Sequence, residues 1–315
     1  IDQSAEAAVK ADARGIWAGE NLGFAAGNNR AVSVAQGEWV AFLNPDAYPE
    51  PDWLEQLWMA TQKWPTVDGF GSTQLNADDP ATLDGAGDVF HVFGVPYRGY
   101  FGWSLDKLPE TGETFSPCGA AAMFRKKTFE DLGGFDERFF CYCEDVDLGF
   151  RLRLAGGRMI QVKEAVVHHE GSALSGRYST FTVYHGNRNR IWASYKSMPS
   201  TLYWPLLPAQ LLSNVYLAAR AIIGGRGGAF LRAMRDGYGQ LGQFRKDRAA
   251  LKASRKVSVM TIARALTWSV GRVLRRQGDL RPIAPTILGE NPLSAKSGVK
   301  TGFSRSPAPR KRNKA

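Results

Sequence analysis

Short apolar runs separated by glycine and proline turns dominate the first 170 positions of the chain. Runs that indicate buried strands cover 38–43, 67–75 and 159–167, and stretches with helical spacing cover 30–36, 51–63 and 144–155. The segment 76–112, rich in glycine, aspartate and proline, is predicted to be a long loop. This alternation of strands and helices predicts an α/β domain over residues 1–200, with helices flanking a sheet.

The pattern changes after residue 200. Residues 203–223 are apolar but interrupted by Pro205, Pro208 and Arg220, and the uninterrupted part would span only ~22 Å as a helix, short of the ~30 Å core of a bilayer. Between 257 and 276, apolar residues fall on one helical face and four arginines on another, which predicts one amphipathic helix in a membrane interface. Residues 201–293 are therefore predicted to form a helical, basic, membrane-docking region, and 294–315 a disordered basic tail.

Composition adds a division of charge between the two halves. With 44% of its 315 residues hydrophobic, the chain can bury a full core. Residues 1–180 carry 15 Lys and Arg against 26 Asp and Glu, net −11, whereas 181–315 carry 25 against 4, net +21. The acidic half argues against nucleic acid as a substrate, and the basic half fits an anionic membrane surface or a nucleic acid.

The three cysteines bear on the redox compartment and on a possible metal site. Cys118, Cys141 and Cys143 give no disulfide framework and indicate a reducing compartment. A zinc site at Cys141 and Cys143 is an alternative, although one residue between the two cysteines is not the usual spacing.

Three carboxylates stand where a glycine turn and an aromatic run lead into a helix. The run 139–142 precedes Glu144, Asp145 and Asp147, which fall in the first turn of the helix predicted from 144. Acids in that position can act simply as caps that complement the helix dipole. The bulky run should also pack down and hold Asp145 at the rim of a pocket, and a held, ionised aspartate suits a general base.

These residues resemble a motif of family 2 glycosyltransferases. Residues 133–151, which read Gly-Gly-Phe-Asp-Glu, an aromatic run and Glu-Asp-Val-Asp-Leu before Arg151, resemble the acceptor-side motif of the bacterial rhamnosyltransferase-like branch. Three more segments resemble family motifs in the family's order: the donor-binding segment at 20–29, the Asp-x-Asp-equivalent strand end at 42–47 and the late histidine motif at 169–172. The resemblance implies a GT-A-like, Rossmann-like α/β fold with a mixed sheet, and a C-terminal α-helical membrane-associated extension completes the expected architecture. Residues 1–4 resemble the end of the family's second strand, so the first strand is expected to be missing.

On the donor side, the resemblance implies contacts to a nucleotide-diphosphate sugar and a metal site. The implied donor-binding residues are Asp2, Asn21, Gly23, Asn29, Asn44 and Asp46. Asp46 and His169 would hold Mg²⁺ or Mn²⁺, which prefer hard ligands. Asp2 can equally be an ordinary turn residue. His168 competes with His169 for the metal role, and strand alternation favours His169 because successive side chains point to opposite faces.

On the acceptor side, the resemblance implies that Asp145 is the catalytic base and that Gly119, Glu144 and Arg188 bind the acceptor. Residues 184–190 resemble the Arg-Asn-Arg segment that closes the catalytic domain in this branch, and Arg188 and Arg190 could meet the diphosphate or a lipid phosphate. A structural salt bridge is the alternative for these arginines. The implied reaction is an inverting transfer of a sugar, L-rhamnose from dTDP-rhamnose by analogy, onto a hydroxyl of a lipid-linked or cell-envelope glycan.

The expected location is the cytoplasmic face of the bacterial inner membrane, with the protein bound peripherally to its anionic surface. No nucleic-acid partner is expected for such an enzyme. The alternative is a non-catalytic membrane scaffold or a nucleic-acid-binding protein that uses the basic half, although that half has no recognised nucleic-acid-binding motif.

Overall fold

The structure is a computed structural model that describes residues 14–171 and 178–283. Asp2 with the 1–4 segment, Ser172 of the histidine motif and the tail 294–315 lie outside the described residues. The helices are α1 Gly23–Val34, α2 Trp53–Lys63, α3 Lys126–Asp131, α4 Glu144–Leu154, α5 Thr180–Ser197, α6 Ser200–Ile223, α7 Gly227–Gly239, α8 Arg245–Ser254, α9 Val259–Ala265 and α10 Val270–Arg275. The strands are β1 Trp39–Leu43, β2 Ala47–Pro49, β3 Gly69–Asn76, β4 Leu83–Gly85, β5 Asp88–His91, β6 Val95–Arg98, β7 Gly112–Glu113, β8 Ala121–Arg125 and β9 Met159–His169.

A mixed seven-stranded sheet forms the centre of the domain. Its order is β1-β8-β3-β9-β2, with β4 paired to β3 and β7 paired to β9. β3 and β9 run parallel, and the other pairs are antiparallel. In the β2–β9 pair, Ala47 lies opposite His169. This register brings the residue before β2, Asp46, to the end of β9.

Apolar side chains cover both faces of the sheet. Trp53 of α2 packs with Phe70 of β3 in one cluster, and Leu148 of α4 belongs to a second cluster that includes α1 and β1. A third cluster joins α4 to the C-terminal helices through Phe150 and Trp192. The start of α4 is therefore held between the sheet and the C-terminal helices.

The segment 76–112 is not a structureless loop, so that prediction is wrong. It contains β4 and the β5–β6 hairpin, and every residue of β4 and β5 is buried. Phe90 of β5 packs edge-on against Phe150 of α4. The glycines and aspartates that suggested a loop serve tight turns and buried polar contacts instead: Gly87 and Gly94, which flank β5, have φ angles of +74° and +66° that favour glycine.

The C-terminal region is helical, as predicted, but its helices differ from the predicted ones. α6 runs unbroken through Pro205 and Pro208. The prolines cost helix hydrogen bonds, and packing of Tyr203, Gln210 and Asn214 against the domain holds the helix in place.

The prediction of a single amphipathic helix over 257–276 is wrong. The segment is divided into α9 and α10, because Thr267 forms a bridge with His91 at the end of β5. Ile262 and Leu266 are buried in the protein core, so part of the apolar face that suggested a membrane contact packs on the domain itself.

Candidate active site

The turn that leads into α4 has an unusual backbone. Phe140, Tyr142 and Cys143 have φ angles of 64°, 72° and 67°, which residues with side chains rarely adopt. The buried side-chain amide of Asn189 on α5 holds this turn, since it donates hydrogen bonds to the carbonyl oxygens of residues 139, 141 and 142. A strained backbone that neighbouring groups fix in place is typical of functional sites.

Asp145 follows this turn, at the edge of a cleft of about 410 Å³. Its carboxylate accepts a 2.8 Å hydrogen bond from the backbone N–H of Gly119 and another of 2.8 Å from that of Val146. Burial raises the pKa of Asp145, and these two N–H groups together with Arg98 oppose the rise. Asp145 is thus a carboxylate of fixed orientation beside the cleft, and Gly119 contacts this carboxylate directly.

Two other carboxyl groups near Asp145 have pKa values that are raised further than that of Asp145. Glu144 is 4% exposed, and its Oε2 has no hydrogen-bond partner among the described residues. Burial, and then the charge of Asp145, raise the pKa of Glu144 well above its ordinary value. The same two causes raise the pKa of Asp88 on β5. Burial therefore favours the protonated form more strongly in Glu144 and Asp88 than in Asp145.

Asp88, Cys118 and Asp145 each offer a ligand atom within 4.8 Å of the others. Burial raises the pKa of the Cys118 thiol to about 12, so the thiol stays protonated and is a poor ligand for a hard cation. Within the described ranges, the groups that could hold a metal do not include Cys141 or Cys143, and the zinc alternative gains no support.

A second part of the site lies where β2 pairs with β9. Nε2 of His169 lies 3.3 Å from Oδ1 of Asp46, and Nδ1 of the same ring lies 2.7 Å from Oδ2 of Asp84 on β4. The short contact assigns the ring proton to Nδ1 and leaves the Nε2 lone pair beside Asp46. Nε2 is buried and has no hydrogen-bond partner among the residues that the structure describes. A carboxylate, an imidazole nitrogen and a buried carboxylate behind the imidazole fit a divalent cation.

Arg98 connects the two parts of the site. Its guanidinium pairs with Asp84 and lies 3.3 Å from Nδ1 of His169, and its side chain also lines the cleft beside Asp145. Four of the predicted site residues line this cleft: Asn44, Gly119, Glu144 and Asp145. The structure thus places Asp46 and His169 next to each other and Asp145 beside the cleft, while their chemical roles stay predictions.

Asn29 does not fit the predicted donor contact. Its side-chain amide donates to the carbonyl oxygen of Phe135, at 2.8 Å, and to Oε1 of Glu137, at 3.0 Å. The reason is that α1 begins at Gly23, earlier than predicted, so Asn29 lies in mid-helix and pins the segment before α4. Asn21 accepts a hydrogen bond from the N–H of Gly23 at the start of α1. The contacts of Asn21 and Gly23 with the nucleotide-sugar donor stay predictions.

Arg188 of α5 contacts the turn that leads into α4. Its guanidinium stacks on Trp192, 4.1 Å from the ring centroid, and donates to the carbonyl oxygen of Phe139. Arg188 is absent from the residues that line the cleft, whereas Arg190, two positions later, lines it. Arg188 therefore stabilises the turn before α4, and its contact with an acceptor stays a prediction.

Sequence reasoning missed Asp84, Asp88 and Arg98, which lie in the segment predicted as a loop. The apolar residues Val89, Phe90 and Val92 in that segment were a signal of a buried strand. Asn189 was missed as well, and no sequence signal distinguishes it from Asn187.

Comparisons with known proteins bear on the family and the fold of the chain. Residues 2–133 match the profile of Glycosyl transferase family 2, and residues 101–222 match that of Glycosyl transferase family group 2. The O-antigen biosynthesis protein RfbC of Myxococcus xanthus is 34% identical over 157 residues, which are 46% of this chain and 12% of that protein. The N-acetylglucosaminyl-diphospho-decaprenol L-rhamnosyltransferase of Mycobacterium tuberculosis is 29% identical over 203 residues, 56% of this chain and 65% of that protein. The chain spans less than two thirds of these relatives.

Among solved structures, the crystal structure of GalNAc-T7 with UDP, GalNAc and Mn²⁺ superimposes with a TM-score of 0.52 at 12% identity, covering 83% of this chain and 45% of the other. At this identity the likeness concerns the fold alone. The mixed sheet flanked by helices is the GT-A arrangement.

Proposed function

Because this chain carries a family 2 glycosyltransferase domain of GT-A fold, we propose that it transfers a sugar from a nucleotide diphosphate to a hydroxyl of a cell-envelope glycan, with inversion. The proposed donor is dTDP-rhamnose and the proposed acceptor is lipid-linked; the name of the N-acetylglucosaminyl-diphospho-decaprenol L-rhamnosyltransferase supports rhamnose and a lipid-linked acceptor. The observation that carries the proposal is the Asp145 carboxylate, oriented beside the cleft by the N–H of Gly119.

Asp145 accepts the proton of the acceptor hydroxyl as its oxygen attacks the anomeric carbon and the bond to the diphosphate breaks. Gly119 and Val146 keep the carboxylate aligned for this proton transfer. Burial favours the protonated forms of Glu144 and Asp88, which can donate hydrogen bonds to sugar hydroxyls.

Asp46 and His169 are the residues that would hold Mg²⁺ or Mn²⁺, with Asp84 fixing the His169 ring. When bound, such a cation stabilises the charge of the departing diphosphate. The Mn²⁺ named with GalNAc-T7 supports a divalent cation in this fold.

The test is transfer of labelled rhamnose from dTDP-rhamnose to a bacterial membrane lipid extract. Asp145→Asn keeps the shape of the side chain but removes the proton acceptor, so transfer should fall ~10²-fold or more, with dTDP affinity nearly unchanged. The matched control is Asp131→Asn, because Asp131 is exposed at the end of α3 and pairs only on the surface with Lys127. Transfer by the Asp145 variant within tenfold of wild type would remove Asp145 from the role of base.

The metal assignment has its own test, a titration of Mn²⁺ followed by dTDP binding. His169→Ala and Asp46→Ala should each weaken the metal-dependent binding. His168→Ala is the matched control, since Nε2 of His168 contacts Glu50 at 2.7 Å on the outer side of β9. Unchanged metal dependence in both test variants would exclude Asp46 and His169 from the site.

We also propose that the protein binds peripherally to the cytoplasmic face of the bacterial inner membrane. Among the described residues, α6 is the one helix long and apolar enough to cross a bilayer, at about 36 Å for its 24 residues. Its buried face, however, carries Gln210 and Asn214, which bond to Ser194 and Arg190 of α5. A helix that packs polar groups on its own domain is better suited to lie on the membrane than to cross it.

The outward face of α6 exposes Leu212, Val215 and Ile223, and the chain from 181 onward has a net charge of +21. Binding to vesicles should therefore increase with their content of anionic lipid and weaken at high salt. Resistance to both salt and carbonate, with release only by detergent, would contradict peripheral binding.

A further inference from the structure

Arg190 is a buried cation without an anionic partner. It lies on α5 with 5% of its surface exposed. Its guanidinium donates to Oδ1 of Asn187, to the carbonyl oxygen of Gly94 and to Oδ1 of Asn214, all of which are neutral acceptors. None of the ion pairs within 14–171 and 178–283 involves Arg190. Burial without a compensating charge lowers the pKa of Arg190 to about 10.

This arrangement is costly for the fold, because a buried charge is stabilised mainly by an opposite charge. The other buried cations of α4 and α5 illustrate the difference: Arg151 and Lys196 both pair with Asp147, at 2.8 and 2.9 Å. Arg190 also lines the cleft. The missing negative charge is therefore expected to come from a ligand in the cleft.

Arg190 and the proposed metal site at Asp46 and His169 lie near opposite ends of β6. Arg98, next to His169, stands at one end of β6, and Gly94, whose carbonyl binds Arg190, precedes the other end. Four residues of extended strand separate the two backbones by about 13 Å. An anion at Arg190 would therefore lie toward the Gly94 end of β6, whereas a diphosphate held at Asp46 and His169 would lie toward the Arg98 end.

The surroundings of Arg190 continue into an apolar surface. Asn214, its partner on α6, is followed by Val215 and Tyr216, which are 66% and 51% exposed, and by Leu217, which lines the cleft. Leu212, one turn earlier on the outer face, is 71% exposed. A ligand that carries an anionic group and a hydrocarbon chain would match this arrangement, with the anion at Arg190 and the chain on the exposed apolar face of α6.

We propose that Arg190, with Asn187 beside it, binds the phosphate group of a polyprenyl-phosphate or polyprenyl-diphosphate acceptor whose hydrocarbon chain leaves the cleft over the outer face of α6. This inference rests on the proposed glycosyl transfer and adds the subsite that recognises the lipid phosphate.

The test measures binding by calorimetry in neutral detergent, with farnesyl diphosphate as the probe and with farnesol, inorganic pyrophosphate and dTDP plus Mn²⁺ as comparisons. Arg190→Gln should weaken farnesyl diphosphate binding at least tenfold, because charge-assisted hydrogen bonds to phosphate are among the strong ones. Farnesol and dTDP binding should change less than twofold. Arg190→Lys keeps the charge but loses the planar guanidinium, and should lie between wild type and Arg190→Gln. The matched control is Arg232→Gln, since Arg232 is an exposed position on α7.

Three results would overturn the inference. Unchanged farnesyl diphosphate binding in Arg190→Gln would leave Arg190 a structural residue, and an equal loss of dTDP binding would place the donor diphosphate there. Pyrophosphate that binds as tightly as farnesyl diphosphate would indicate a free-phosphate site.

If Arg190→Gln unfolds, Leu217→Glu is a second test, because it adds a negative charge to the lining of the same cleft and leaves the hydrogen bonds of Arg190 intact. Leu217→Glu should also weaken farnesyl diphosphate binding. Unchanged binding in this variant would count against the subsite. Since no transfer is measured, these outcomes are independent of the Asp145→Asn assay: probe binding through Arg190 without any glycosyl transfer would contradict the proposed function alone.

Discussion

Replacing Asp84 by Asn tests whether the buried carboxylate behind His169 prepares the metal site. Asp84 is 2% exposed, and its Oδ2 accepts the Nδ1 proton of His169 at 2.7 Å. An amide of the same shape carries no charge, so the imidazole becomes less basic and its orientation less certain. Losses of this kind typically weaken metal binding 10–100-fold, which corresponds to about 1.4–2.7 kcal/mol at about 1.36 kcal/mol per tenfold change.

The assay is calorimetric titration of Mn²⁺ into the folded protein, with thermal unfolding recorded in parallel. Asp84 also pairs with Arg98, so Asp84→Asn disturbs two interactions. Arg98→Gln separates them, because it removes a positive charge near the site and leaves the contact between Asp84 and His169 in place; it should not weaken Mn²⁺ binding. Mn²⁺ affinity within twofold of wild type in Asp84→Asn, or an equal loss in Arg98→Gln, would refute the reasoning.

Three further predictions concern protons and buried charge. Asp88→Asn should keep transfer within tenfold of wild type, because burial and Asp145 already favour the protonated form of Asp88, which Asn resembles; a ~10²-fold loss in kcat/KM would show that its charge is required. Burial raises the pKa of Asp145 above its ordinary 3.8, and a base must be deprotonated, so kcat/KM should fall with decreasing pH at a midpoint above 3.8; a midpoint at or below that value would contradict the assignment. Lys196→Met leaves buried Asp147 with one cation fewer. The free energy of unfolding, measured with urea, should fall by about 3–5 kcal/mol, as it does when other buried ion pairs lose one partner. A decrease of less than about 1 kcal/mol would contradict this prediction.

Several features of the site follow from short stretches of sequence. Asp46 comes directly after a buried strand, and alternation along β9 separates His169 from His168, so the pairing of Asp46 with His169 needs only local backbone geometry and one strand contact. The start of α4 at Glu144 was likewise predicted from its own spacing. Strand alternation and helix periodicity are properties of neighbouring residues, and sequence alone carries them.

Other features depend on which distant segments pack together. Arg188 and Arg190 are about 200° apart around α5, and only the docking of α6 and the β5–β6 hairpin decides that Arg190 lines the cleft while Arg188 stacks on Trp192. The polar residues of 76–112 looked like a loop because distant segments bury them: Asp84 contacts His169 of β9, and Asp88 pairs with Ser116. In the same way, the apolar face of 257–276 is shared between the core and the surface because Thr267 pairs with β5. A residue's own neighbours in sequence determine its local conformation, but the free energy of burying a polar group depends on partners that arrive only with the tertiary fold.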